Sequence, residues 1–277
     1  MGGMTPPARY ALVLGGGGLV GGAWELGVLS GLRERGLGRA EFVLGSSIGS
    51  IVGAAVCAGA PEESFLRPAA ALGPVLDAYL GRVDPTLMAQ IMGRGFGLKE
   101  AERATIGGFA ARADSGPESE FIDHVATLLP GDAWPPGLAV AAVAIDDGEF
   151  VIWNERSGVP LARAVAASCA GPGVFPPVEV DGRRYLDGGI RSPTNADRAV
   201  GHERVVVITA VMDTEFRELL DQEASLLRTA GAKVFVLVPD EASSSAIGTD
   251  AFDVSHLDSA LIAGRRQAQS ATEIRFG

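Results

Sequence analysis

Ser47 stands at the centre of Gly45-Ser46-Ser47-Ile48-Gly49, a G-x-S-x-G set between two apolar runs, Glu41 to Leu44 and Ser50 to Ala60. A serine there is a candidate nucleophile. The strand-to-helix turn is strained, small residues flank the serine, and the hydroxyl projects from the carboxyl end of the strand. The helix that follows points free N–H groups and the positive end of its dipole at the same spot. The bare pattern also occurs as a plain packing turn. A second motif, GGGGLVGG from Gly15 to Gly22, follows the apolar run Tyr10 to Leu14. Acyl transfer builds an oxyanion, and backbone N–H groups in a water-poor site stabilise it; one lost donor costs about 2.7–4 kcal/mol of barrier. Gly16, Gly17, Gly18 and Gly21 are the candidates for that loop, because glycine lets the backbone approach with no side chain in the way. Gly16, Gly18 and Gly21 also fit a dinucleotide-binding G-x-G-x-x-G, but no acidic residue ends a second strand at the expected distance, and G-K-[ST] is missing for a P-loop. The third motif, Asp187-Gly188-Gly189, closes the segment YLDGGI. Alone, it reads as a turn.

Taken together and in this order, the motifs resemble the signature set of the patatin-like phospholipase family. Gly16 to Gly21, Gly45 to Gly49 and Asp187 to Gly189 match its three blocks. The run AASCAGPGVFPPVEVDGRRYLDGG resembles the family's approach to its acid, with Pro172, Phe175, Pro176 and Pro177 in register. The resemblance covers roughly residues 10 to 60 and 160 to 210. It implies a serine acyl hydrolase with a Ser47–Asp187 dyad and no catalytic histidine, acting on esters of lipids. Ser47 would attack the ester carbonyl, Asp187 would take its proton, and the N–H groups near Gly17 and Gly18 would hold the oxyanion. Gly45, Gly49, Gly188 and Gly189 would support the motifs. An aspartate is a weak base, with a reference pKa near 3.9, so Asp187 works only if proton transfer accompanies attack or a dry site raises its pKa. The family often carries Arg or Lys just before the last glycine of its first motif. Here that residue is Val20, which counts against phospholipid as the substrate.

Two other readings use the same residues. A conventional Ser-Asp-His triad would take His256, or His202, after Ser47 and Asp187 in chain order. A non-catalytic module binding lipid or a partner protein would leave the dyad idle. The three histidines and the acidic residues form no cluster with metal-ligand spacing, so neither metal nor cofactor is expected. Cys57 and Cys169 sit in small apolar runs and read as free core thiols. Trp24, Trp134 and Trp153 read as core or lid residues, and Asp146 and Asp147 as solvated residues of a hairpin turn.

The elements that must position these residues follow from patterning. Strands are expected at Tyr10–Leu14, Glu41–Leu44, from Gly137, within EFVIWNE, at Arg204–Ala210 and at Lys233–Pro239; VEVDGRRYL reads as a hairpin turning at Asp181-Gly182. Helices are expected at Gly22–Arg35, after Ser47, at Pro160–Ala167, and over 215–230 and 257–270. Strands alternating with helices predict an α/β fold, a three-layer α/β/α sandwich on a mostly parallel sheet. The chain reads as a single domain over 1–277. The proline-punctuated stretch at about 61–135 reads as a helical layer or lid, with Met88 and Met92 one turn apart as an apolar mouth. The chain has 277 residues, 47% of them apolar, enough for one sizeable core. Its net charge of −11 argues against nucleic acid and against electrostatic docking on anionic lipid. Transient contact with a membrane surface through apolar side chains remains compatible with it. The start, MGGMTPPARY, lacks an apolar signal core, and no run is long enough for a membrane helix, so a cytoplasmic protein of unassigned oligomeric state is expected.

Overall fold

A computed structural model describes residues 10–95, 97–211, 214–271 and 274. Apart from Tyr10, the amino-terminal stretch read for a signal core lies outside the described residues. The elements run β1 (Ala11–Leu14), α1 (Gly18–Glu34), β2 (Phe42–Gly45), α2 (Ile48–Ala58), α3 (Glu63–Ala71), α4 (Gly73–Leu80), α5 (Pro85–Met92), α6 (Glu100–Ala110), α7 (Glu118–Thr127), β3 (Leu138–Ala144), β4 (Phe150–Asn154), α8 (Leu161–Cys169), β5 (Val178–Val180), β6 (Arg183–Asp187), β7 (Arg204–Ile208), α9 (Thr214–Thr229), β8 (Lys233–Leu237), α10 (Glu241–Ile247) and α11 (Leu257–Ser270).

Strands β3, β2, β1, β7 and β8 lie side by side and parallel, with β4, β5 and β6 antiparallel at one end. Successive side chains of a strand face opposite ways, and the core divides accordingly. Leu12 and Leu14 of β1 join the apolar layer of α1, α2 and α11; Ala11 and Val13 join Phe216, Leu220 and Leu227 of α9. The expected α/β/α layering is therefore present. Helices α1 and α11 pack through glycines: a Cβ at Gly27 or Gly31 would strike the backbone of Leu261 or Arg265, and one at Gly264 the Trp24 carbonyl.

Three features differ from the sequence reading. Helix α1 starts at Gly18 rather than Gly22, because Gly21 and Gly22 are buried where a Cβ would collide with Ala210 and Ile48. Glycine's low helix propensity yields there to close packing. The short helix α10 was not foreseen. Asp147, read as solvated, is exposed but paired, with Arg183 reaching Asp147 at 2.8 Å and Glu149 at 2.7 Å. The Asp181-Gly182 turn has φ of 51° and 79°, as a two-residue hairpin requires. Helices α3 to α7 fill the stretch expected to be helical. Among the described residues, no helix is long and apolar enough to cross a membrane, and no group of three His, Cys, Asp or Glu could hold a metal. Both cysteines are free.

Candidate active site

Strand β3 brings the second and third motifs together. It pairs with β2 through Leu138–Val140, with β4 through Ala139–Val143 and with β6 through Ala142–Ala144. Because β4 overlaps both others in register, β2 and β6 must share the opposite edge of β3. They run head to head along it: Gly45 ends β2 opposite Val140, and Asp187 ends β6 opposite Ala142. Two carboxyl ends thus converge from opposite directions, and Ser47 lies just beyond one of them.

The turn between β2 and α2 is strained as a nucleophile elbow requires. Ser47 has φ 55° and ψ −134°, a region costly for a non-glycine residue. The strain persists because the neighbours are fixed. Gly49 donates its N–H to the Gly15 carbonyl at 3.0 Å, and Ser46 donates to Leu14 at 3.0 Å. A Cβ at Gly49 would fall on the Leu14 carbonyl, and one at Gly45 on the Ser50 backbone. The Ser47 N–H is held by the Ser168 hydroxyl at 3.0 Å.

The glycine loop lies beside this elbow; a Cβ at Gly16 would sit 3.9 Å from that of Ser47. Gly17 and Gly18 have φ of 149° and 64°, conformations that favour glycine. Gly17 caps α1 and Gly18 opens it, so their N–H groups are among those a helix leaves without internal partners. The amides of Gly16 and Gly21 are engaged within the fold, donating to Pro193 at 3.1 Å and Gly17 at 3.1 Å. Val20 is wholly buried, and its N–H donates to Ala251 at 3.1 Å.

The Asp187 carboxyl is buried, which pushes its pKa up from the usual 3.8 to about 6; hydrogen bonds from the Ser47 hydroxyl and the Gly189 amide draw it partly back. The Gly189 bond is 2.7 Å long. Its titratable neighbour is Cys169, whose thiol is pushed well up by burial and by Asp187. A buried carboxylate of raised pKa beside a strained, half-buried serine hydroxyl can accept its proton.

Two clefts meet at Ser47 and Asp187. One, of about 690 Å³, is walled by Ile51, Leu76 and Tyr79, by Phe121 of α7 and Leu128 just after it, and by Phe175 and Phe252. Tyr79, Phe121, Phe175 and Phe252 pack ring on ring. The other, of about 1050 Å³, lies between Gly16, Gly17, Gly189 and the side of Ile91, Met92 and Glu215. Met92, expected near an apolar mouth, is exposed and borders this second, more polar cleft, while Met88 does not line either.

Neither histidine considered for a triad lines these clefts. His202 stacks on Phe42 at the amino end of β2, with ring centroids 5.1 Å apart. The His256 Nδ1 faces the Ala246 carbonyl at 2.9 Å. His124 does line the apolar cleft, but its Nδ1 is buried without a partner. Sequence reasoning missed Ser168 and Asn195. Ser168 lies in the AASCAGP run noted for its cysteine. Asn195 follows the Asp187 motif by eight positions in a loop with no periodic pattern.

Comparison with known proteins follows the same lines. A family model described as Patatin-like phospholipase matches residues 12–200. Uncharacterized NTE family proteins of Mycobacterium bovis and of Mycobacterium tuberculosis are each 36% identical over 185 residues, covering 67% of this chain and 44% of theirs. The chain thus spans less than half the length of these relatives. Among solved structures, VipD from Legionella pneumophila is similar with a TM-score of 0.47 at 15% identity, over 96% of this chain and 66% of its own. Nothing about function follows from a likeness that distant.

Proposed function

The chain belongs to the patatin-like phospholipase family, and from that premise we propose that it is a serine acyl hydrolase that cleaves carboxylic esters of lipids with Ser47 and Asp187. The observation that carries this reading is the buried Asp187 carboxyl, which lines both clefts together with Ser47.

The acyl chain enters the apolar cleft, and its carbonyl carbon comes within reach of Ser47 Oγ. Ser47 attacks as its proton passes to Asp187. The negative charge that develops on the carbonyl oxygen faces the Gly17 and Gly18 amides at the positive end of α1. Collapse of the intermediate breaks the ester C–O bond, and Asp187 returns the proton to the departing alcohol. A water molecule then attacks the acyl group on Ser47, again losing a proton to Asp187, and frees the acid and the serine. Two features support aspartate in this role. Burial brings its pKa to about 6, close to working pH, where a base is most effective. The register along β3 also holds Gly45, two residues before Ser47, close to Asp187, which supports direct proton transfer without an imidazole.

Two further features favour an uncharged alcohol over a phosphate-bearing one. The second cleft is lined by two acidic residues, Asp187 and Glu215, and Val20 is buried in the core where the family often has a cation. Like charges in a cleft with low-dielectric walls repel. Helices α4 and α7 wall the acyl side and fit the role of a lid, and contact with a lipid surface would pass through them.

The test is an ester panel running from p-nitrophenyl butyrate through monoacylglycerol to its phosphorylated counterpart, with Ser47→Ala beside the wild type. Hydrolysis by the wild type and its loss by orders of magnitude in Ser47→Ala are expected. Equal turnover by the folded variant would refute the reading.

A further inference from the structure

Asn195 is fully buried and touches both halves of the dyad's support. Its Nδ2 donates to Ser46 Oγ at 2.9 Å, to the Gly188 carbonyl at 3.2 Å and to the Ser192 carbonyl at 2.7 Å. Ser46 precedes the nucleophile, and Gly188 follows the acid. We propose that Asn195 is the positioning residue that sets the approach of Ser47 to Asp187, by tying the residue before one to the residue after the other; this rests on the dyad reading above.

The side chain is well suited to that task. An amide offers two N–H donors and one acceptor in a plane. The acceptor is used: Arg191 donates to Asn195 Oδ1 at 2.7 Å, which also fixes which way the amide faces. Arg191 is itself held by Asp197, at 2.9 and 2.7 Å, and lies over the Phe150 ring at 4.6 Å. The backbone is equally constrained. Asn195 has φ 54°, a left-handed conformation that asparagine tolerates better than most residues. Ser192 Oγ accepts from the Asn195 and Thr194 amides at 3.0 and 3.3 Å. Glu223, reaching in from α9, accepts from Thr194 Oγ1 at 2.6 Å and the Ala196 amide at 3.0 Å. The amide is thus anchored from the α9 side of the sheet and spans the two loops. An aspartate there would turn an anion on the Gly188 and Ser192 carbonyls.

Asn195 lines neither cleft, so it acts through Ser47 and Asp187 and not on substrate. A loosened dyad would lose the hydrogen bond from Ser47 that holds the Asp187 pKa down. Its acid limb should therefore move to higher pH, which a loss of stability alone would not cause.

The experiment compares wild type, Asn195→Ala and Ser46→Ala on p-nitrophenyl butyrate and with a fluorophosphonate probe, per folded molecule. Asn195→Ala is expected to lower kcat about 100-fold with KM changed less than about threefold, to slow labelling of Ser47 in proportion, and to raise the pH of the acid limb. Ser46→Ala removes a single hydroxyl and one of the three bonds, so it tests the idea even if Asn195→Ala does not fold; a loss of about fivefold with the same direction of limb shift is expected. Wild-type kcat and an unmoved limb in the folded fraction of either variant would overturn the proposal. A wild-type protein that neither labels nor hydrolyses would instead refute the dyad reading, so the two failures are distinct.

Discussion

Gly45 and Asp187 sit two residues apart along one edge of β3, the first opposite Val140 and the second opposite Ala142. That spacing is a property of the backbone. It brings the loops that carry a strained serine and a buried carboxylate to the same edge of β3, where the Asn195 side chain ties one to the other.

The first concerns pH. Asp187 must be ionised to accept a proton, and burial has pushed its pKa up to about 6. The kcat/KM for a soluble ester should fall about tenfold per pH unit below that value and level off above it, since this ratio reports groups of the free enzyme. A pH profile from 4.5 to 8.5 checks it. A flat profile down to 4.5 would contradict the assignment.

The same shift has a stability consequence of known sign. Asp187 binds its proton more tightly folded, near 6, than unfolded, near 3.8. The fold therefore gains from this group below pH 3.8 and loses that gain as pH rises through 6. Asn keeps the shape and can still accept from Gly189, but it has no charge to bury. Asp187→Asn should be more stable than the wild type at pH 8, by on the order of 2–3 kcal/mol, and equal to it near pH 4. Urea unfolding at the two pH values measures the difference.

A third prediction tests the elbow. A methyl group at Gly49 would fall on backbone carbonyls of Leu14 and Gly15. Gly49→Ala should cost roughly 1–3 kcal/mol and abolish turnover by displacing Ser47. Gly59, at the other end of α2, has φ 67° but open space around it. Gly59→Ala should cost about 1 kcal/mol and keep full specific activity. Thermal melts and ester assays on both variants separate strain at the site from strain elsewhere.

The histidines supply a fourth. His202 and His256 line neither cleft, so His202→Ala and His256→Ala should retain turnover within about twofold. His124 walls the apolar cleft, so His124→Ala should alter KM and chain-length preference and leave Ser47 labelling intact. A hundredfold fall in labelling for any of the three would revive a triad.

Much of this architecture is legible in the sequence because it is written in local chemistry. Glycines at Gly45 and Gly49 announce a turn with no room for a Cβ, and the unbroken apolar run of β1 announces a strand covered on both faces. The boundary of α1 was not legible, since four consecutive glycines read as loop until the partners of Gly21 and Gly22, Ala210 and Ile48, are known. The shared edge of β3 was hidden as well: it depends on register between strands about 140 residues apart, which no local pattern encodes. Asn195 and Ser168 escaped for the same reason. A single polar residue, Asn195 in its loop or Ser168 in the last turn of α8, acquires a role only through distant partners, Ser46 and Ser47.

The most direct measurement is covalent labelling of the wild type and Asp187→Asn with a fluorophosphonate, followed by peptide mass spectrometry. The dyad predicts a single adduct on Ser47 in the wild type and a labelling rate at least about 100-fold lower in the folded Asp187→Asn variant. An adduct on another residue, or labelling of Asp187→Asn at the wild-type rate, would contradict it.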